Sequence, residues 1–195
     1  GQLATLGGVD QVLMASNFGI QSFVPETGDQ LWEHEWQLPN FARIAQPQIT
    51  GDDSVVIGSI RLGARSLKIE KNGDEWDVTE EWTTKKMRPY FNDIVYHDGS
   101  VYGFDGDRIV CADAETGELQ WKGARVGGQI LLLPDMDILL TVTEKGDVVL
   151  LKATPHAYEE IAKFKAIDGK TWNHPVVANG RLYVRNSEEA ACFQL

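Results

Sequence analysis

No stretch of this sequence stays apolar for long enough to cross a bilayer. The run Ile130-Leu131-Leu132-Leu133 stops at Pro134 and Asp135, far short of the ~20 residues a spanning helix needs. The first residues show no basic segment followed by an apolar one, so no export signal is visible. Positive charge is scarce as well: 18 Lys and Arg stand against 29 Asp and Glu, for a formal net charge of −11. Duplex nucleic acid and anionic membranes are held by clustered Lys and Arg, so neither is an expected partner. The acidic excess favours solubility and, weakly, cationic partners. Cysteine is nearly absent, with only Cys111 and Cys192, and neither belongs to a Cys-x-x-Cys-His or zinc-pair pattern. The four histidines, His34, His97, His156 and His174, show no metal-ligand spacing. His97 reads as a solvated hairpin residue. Asp105-Gly106-Asp107 and Asp135-x-Asp137 read as turn carboxylates, because neither extends into a calcium loop. No metal site is expected. Gly-x-Ser-x-Gly, phosphate-loop and dinucleotide fingerprints are also missing, and no residue stands out as catalytic.

What is present is repetition. Glu26-Thr27-Gly28 is followed after three residues by Trp32, and Glu115-Thr116-Gly117 after three residues by Trp121. An offset of 81 residues places Asn173 on Asn92, Val176 on Val95, Gly180 on Gly99, Leu182 on Val101, Tyr183 on Tyr102 and Cys192 on Cys111, with no gap. Val12, Val55 and Leu139 fall on Val101 in three further copies. Units of roughly forty residues, each with several strands, point to a β-propeller.

Each unit reads as four short antiparallel strands. In the clearest copy these are Ile94 to Tyr96, Ser100 to Phe104, Arg108 to Ala112, and a fourth carrying Leu119 and Trp121. Asp-Gly and Thr-Gly pairs between them supply the positive φ of tight turns. Val, Ile, Tyr and Leu dominate the strands, as half-buried pleated surfaces prefer. The expected fold is all-β, with blades at about 1–37, 43–86, 90–126 and 129–168 and an incomplete one at 172–195. Gly28 and Gly117 turn into the outermost strand, where Trp32, Trp82 and Trp121 pack on a neighbouring blade and Phe164 takes the place in the fourth unit. Thr154 and Pro155 read as the N-cap and first residue of one inserted helical turn. Cys111 and Cys192 occupy one position of two units two blades apart, beyond the ~7 Å that a disulfide bridges. Both are expected as small buried hydrophobes.

The segments "AETGELQW", "PETGDQLW" and "HPVVANGRLYVRN" resemble the quinoprotein (PQQ-like) propeller repeat over essentially the whole chain. The tail is similar to the ends of bacterial PQQ-binding-like β-propeller proteins, which are often likened to the outer-membrane assembly lipoprotein of the same fold. The resemblance implies an eight-bladed ring in an exported, periplasmic or secreted protein. About four and a half blades are present. The chain therefore reads as the C-terminal half of a longer propeller, or as one closed by a second chain. The alternative is a five-bladed ring in which Gln2 to Leu6 serves two roles. The family's alcohol enzymes hold the quinone with calcium, acidic and amide ligands, a stacking tryptophan and a disulfide between adjacent cysteines. Adjacent cysteines are absent here, so no cofactor is expected.

By register, Tyr90-Phe91-Asn92 corresponds to Thr171-Trp172-Asn173, and Gln46 falls on Asn92. These residues precede innermost strands, where propellers bind things. A funnel mouth of Gln46, Asn92 and Asn173, flanked by Phe91, Asp93, Trp172 and His174 with Arg43 and Arg88 just upstream, would suit a polar small molecule or a peptide. A structural role for the amides, with the aromatics plugging the channel, is the competing reading. The function expected is a non-catalytic scaffold binding a protein or small polar ligand. The alternative is part of a PQQ- and calcium-dependent alcohol or sugar dehydrogenase.

Overall fold

Glycines at tight turns fold the chain back on itself at short intervals. Gly28, Gly99 and Gly117 sit at φ of 75°, 76° and 70°, values an L side chain resists. In a computed structural model describing residues 1–195, the strands between such turns form five antiparallel sheets in sequence order. Blade 1 holds β1 (Gln2–Leu6), β2 (Val9–Ala15), β3 (Gly19–Phe23) and β4 (Gln30–Glu35). Blade 2 holds β5 (Gln48–Ile49), β6 (Ser54–Ser59), β7 (Gly63–Asn72) and β8 (Glu75–Thr84). Blade 3 holds β9 (Val95–His97), β10 (Ser100–Asp105), β11 (Arg108–Asp113) and β12 (Leu119–Arg125). Blade 4 holds β13 (Gly128–Leu133), β14 (Ile138–Thr143), β15 (Asp147–Lys152) and β16 (Glu160–Lys165). Blade 5 has three strands, β17 (Val176–Ala178), β18 (Arg181–Arg185) and β19 (Ala190–Gln194). The fold is a partial β-propeller. No helix is long and apolar enough to cross a membrane.

The hydrophobic cores lie between blades, because each sheet is apolar on both faces. Leu6, Leu13, Ile20 and Trp32 of blade 1 meet Val55, Ile57, Leu67 and Ile69 of blade 2. Val56, Ala64 and Trp82 meet Val101, Val110 and Ala112 of blade 3. Tyr102, Phe104, Cys111 and Trp121 meet Ile130, Leu139, Val149 and Leu151 of blade 4. Leu140, Val142 and Val148 meet Leu182 and Val184 of blade 5.

The outermost strands show one recurrent place. Trp32 pairs with Ser22, Trp82 with Ser66 and Trp121 with Cys111, each next to a bulge in the outermost strand itself. In blade 4 the residue at that place is Ala162, opposite Leu150 beside the same bulge, and not Phe164 as the sequence suggests. Phe164 lies two residues further on, opposite Val148, and packs edge-on against Phe193 of blade 5 with ring centroids 5.1 Å apart.

The helical turn expected at Thr154 is also absent. Thr154 Oγ1 accepts from the His156 N–H, its carbonyl accepts the Trp121 indole N–H (2.8 Å), and Tyr158 lies against Trp121. Those tertiary contacts hold the segment open, overriding the local cap signal. The one helical turn is a 3-10 turn at Pro134–Met136.

The two end faces differ from the inner ones. Val95, Tyr102 and Cys111 line up across blade 3, under blade 4. Val176, Tyr183 and Cys192 line up in the same way across blade 5, but no blade of this chain covers them. Tyr102 is 1% exposed and Tyr183 41%. Cys192 is therefore exposed, against expectation, whereas Cys111 is buried and its thiol is pushed up to about 12, chiefly by burial. Leu3 and Met14 are exposed on the opposite end, in blade 1. β1 pairs with β2 alone, so Gln2 to Leu6 does not serve two blades.

Candidate functional site

The segments leading into the first strands of blades 2, 3 and 5 meet at one mouth of the arc. Asp93 is the hinge between them. Its Oδ1 accepts the Gln46 backbone N–H (2.9 Å), and its Oδ2 lies 3.1 Å from His174 Nε2. Phe91 and Trp172, equivalent by register neighbours, face each other with centroids 6.1 Å apart, and Tyr90 meets Phe91 edge-on at 5.7 Å. Trp172 is 54% exposed, and Lys170 Nζ sits 4.1 Å from its ring centroid. A half-open aromatic face with a cation on it and a carboxylate–imidazole pair beside it suits a polar chain with flat or cationic groups.

Gln46, Phe91, Asp93, Trp172 and His174 are thus brought together, with Asn173 half-buried beside them. Asn92 belongs to the interior instead. It is 3% exposed, its amide N–H donates to the Gly128 carbonyl, and its Oδ1 accepts the Tyr90 N–H. Both ends of the amide are spent on backbone groups, so it is not free to contact a ligand. Gln46 contributes its backbone, leaving its side chain exposed. The amide ring expected from the sequence is therefore not formed. Calcium with a quinone requires acidic and amide oxygens together. The Asn92 oxygen is engaged and Asp93 is shared by two partners, so these two residues are not left free for that pair.

Gln129 was not singled out from the sequence. It enters from β13, almost wholly buried, and its Nε2 donates to both the Phe91 and the Trp172 carbonyls at 3.2 Å. It thereby ties blades 3, 4 and 5 at the mouth, and its Oε1 has no protein donor. The offset that puts Leu139 on Val101 puts Gln129 on Phe91, so the register carried the signal.

The two upstream arginines are occupied elsewhere. Arg43 is buried, its Nη2 donates to the Trp36 carbonyl (2.8 Å), and its guanidinium lies over the Trp36 ring. Burial, then the neighbouring Arg65, brings its pKa down to about 10. Arg88 Nε donates to Asp105 Oδ1 and Lys122 Nζ to Asp105 Oδ2, both at 2.5 Å. Burial pushes the Asp105 carboxyl up, but the bonds from Arg88 and Lys122 prevail and hold it below the usual carboxylate range. A depressed folded-state pKa stabilises above the unfolded value of about 3.9 and ceases to do so as pH falls through the folded value. Asp105→Asn should therefore destabilise at neutral pH, and the gap from the parent should close in acid. Denaturant melts at pH 7 and at about pH 2.5 check this; an equal gap at both overturns it.

A family model described as outer membrane protein assembly factor BamB matches residues 19–194. The crystal structure of BamB from Moraxella catarrhalis has the same fold, with a TM-score of 0.71 at 20% sequence identity. The match covers 99% of this chain, which spans 57% of that one. No curated protein matches the sequence.

Proposed function

We propose, on the premise that this chain belongs to the family described as outer membrane protein assembly factor BamB, that it is a non-catalytic propeller scaffold of the cell envelope, periplasmic or secreted. It binds a protein or a small polar ligand at the mouth formed by Phe91, Asp93, Trp172 and His174. The observation that carries this reading is the exposed Trp172 ring facing half-buried Phe91, held in place by Gln129 and Asp93. The spent amide of Asn92 supports a role without quinone or calcium. Trp32, Trp82 and Trp121 dock successive blades. Further blades or a second chain close the ring on Tyr183 at one end and Leu3 at the other, which explains why both are exposed.

Two measurements test the binding role. A photoreactive residue replacing Trp172 should crosslink to envelope protein in the producing cell more strongly than one at Met136, at the far end of the blades. Equal crosslinking from the two places removes the mouth as a site. Titrating the full chain with the quinone and Ca²⁺ should give no saturable change in cofactor absorbance. Saturable binding with reduction of a dye by an alcohol would establish the dehydrogenase instead.

A further inference from the structure

The end of the blades opposite the mouth carries a cluster that the scaffold role does not use. His97 closes β9, Asp98 is in the turn that follows, and Asp137 is in the turn before β14 of the next blade. One donor atom from each lies within 4.8 Å of the other two. His97 Nε2 is 2.7 Å from Asp137 Oδ1 and 3.7 Å from Asp98 Oδ2. We propose that these three side chains bind one divalent transition-metal ion of the zinc type, clipping blade 3 to blade 4.

Four features of the place support the assignment. Its spacing is close to that of a tetrahedral site: bonds of ~2.1 Å to zinc separate adjacent ligand atoms by about 3.4 Å. Each measured separation comes to that value by a side-chain movement of less than about 1 Å. The backbone is also fixed. The Asp137 N–H donates to the Pro134 carbonyl (3.3 Å), and the Asp137 carbonyl accepts from Ala153 (2.7 Å). His97 is paired in register with Ser100. The place is reached from solvent through its carboxylates: the imidazole is 11% exposed, while the Asp98 and Asp137 carboxylates are 88% and 62% exposed. An ion can enter from solvent and keep water at its fourth position. Finally, the donor chemistry is selective. An imidazole nitrogen with two carboxylates favours zinc-like ions over calcium or magnesium, which take oxygen alone.

The corresponding turns elsewhere lack this chemistry. None carries a histidine: blade 5 has Ala178-Asn179-Gly180, blade 2 Gly51-Asp52-Asp53, and blade 1 turns on Gly7-Gly8. The sequence gives no spacing rule for the cluster, because His97 and Asp137 meet only through the docking of two blades.

Calorimetric titration of the full chain with Zn²⁺ tests the proposal. One ion per chain is expected, undisturbed by a tenfold excess of Ca²⁺. Asp98→Asn, Asp137→Asn and His97→Gln should each weaken binding more than about tenfold. Asp98→Asn is the safeguard against misfolding, since Asp98 is exposed and asparagine tolerates its φ of 43°. Heats that do not saturate would sink the proposal. So would all three variants binding as tightly as the parent, because the ion would then lie elsewhere. Displacement by Ca²⁺ would overturn the zinc-type assignment.

Discussion

Trp121→Ala is expected to destabilise the protein by about 3–5 kcal/mol, a fall in melting temperature of roughly 10 °C for a chain of this length. Three losses combine. The indole fills the core between blades 3 and 4, among Tyr102, Ile130, Val149 and Leu151, and the walls of that space are two hydrogen-bonded sheets that cannot collapse inward. The Thr154 carbonyl loses the indole N–H and is left in a buried place. Tyr158 loses its edge-on contact with the indole at 6.0 Å, releasing the loop that Trp121 holds open. Trp121→Phe separates these losses. It restores most of the volume but not the N–H, so a loss of about 1–2 kcal/mol is expected. In a repeat array each unit touches only its neighbours. Hydrogen exchange should therefore quicken first in β10 to β15, with blade 1 changing least. A loss below about 1 kcal/mol for the alanine variant, or a uniform change in exchange, would show that Trp121 does not dock the two blades.

The comparison with Trp32 shows what the sequence could and could not tell. Spacing alone puts Trp32 and Trp121 at one place in two blades, and both pair across the third strand beside a bulge. Their indole N–H groups nevertheless go to different partners. Trp82 and Trp121 reach carbonyls of the following blade, at Ala114 and Thr154. Trp32 donates to Gln11 of its own blade, 2.6 Å away. Gln11 sits at a position that carries no repeat signal, so this difference is invisible in register. The same limit explains Phe164 and Ala162. A two-residue displacement preserves which face of the strand a side chain occupies, so hydrophobicity cannot separate them, and only the bulge does. At the mouth, the register brought Phe91 and Trp172 to equivalent places. Whether the Asn92 side chain faces the funnel or a backbone carbonyl depends on the Gly128 strand of the next blade. Side-chain type carries no such information.

Gly63→Ala is the second large effect, expected at about 4 kcal/mol, and it rests on a feature of the repeat that is easy to mistake for ordinary turn chemistry. Gly63 opens the third strand of blade 2 at φ of 101°. A Cβ there would lie 2.0 Å from the Thr84 carbonyl oxygen and 2.9 Å from its carbon. Those atoms are backbone at the end of β8, so relief requires parting β7 from β8. Gly19 stands at the same place in blade 1, where a Cβ would meet His34 O at 2.1 Å. Two of the four complete blades thus bring the last strand's carbonyl over the first residue of the third. Gly106 provides the control. It too has positive φ, 66°, but a Cβ there has open space. Gly106→Ala should therefore cost only the backbone term, about 1–2 kcal/mol. Urea melts of the two variants measure the difference. If they destabilise equally, the close approach of Thr84 is not what requires glycine at position 63. A larger loss at Gly63 assigns the excess to the contact between strands, and predicts the same excess for Gly19→Ala in blade 1.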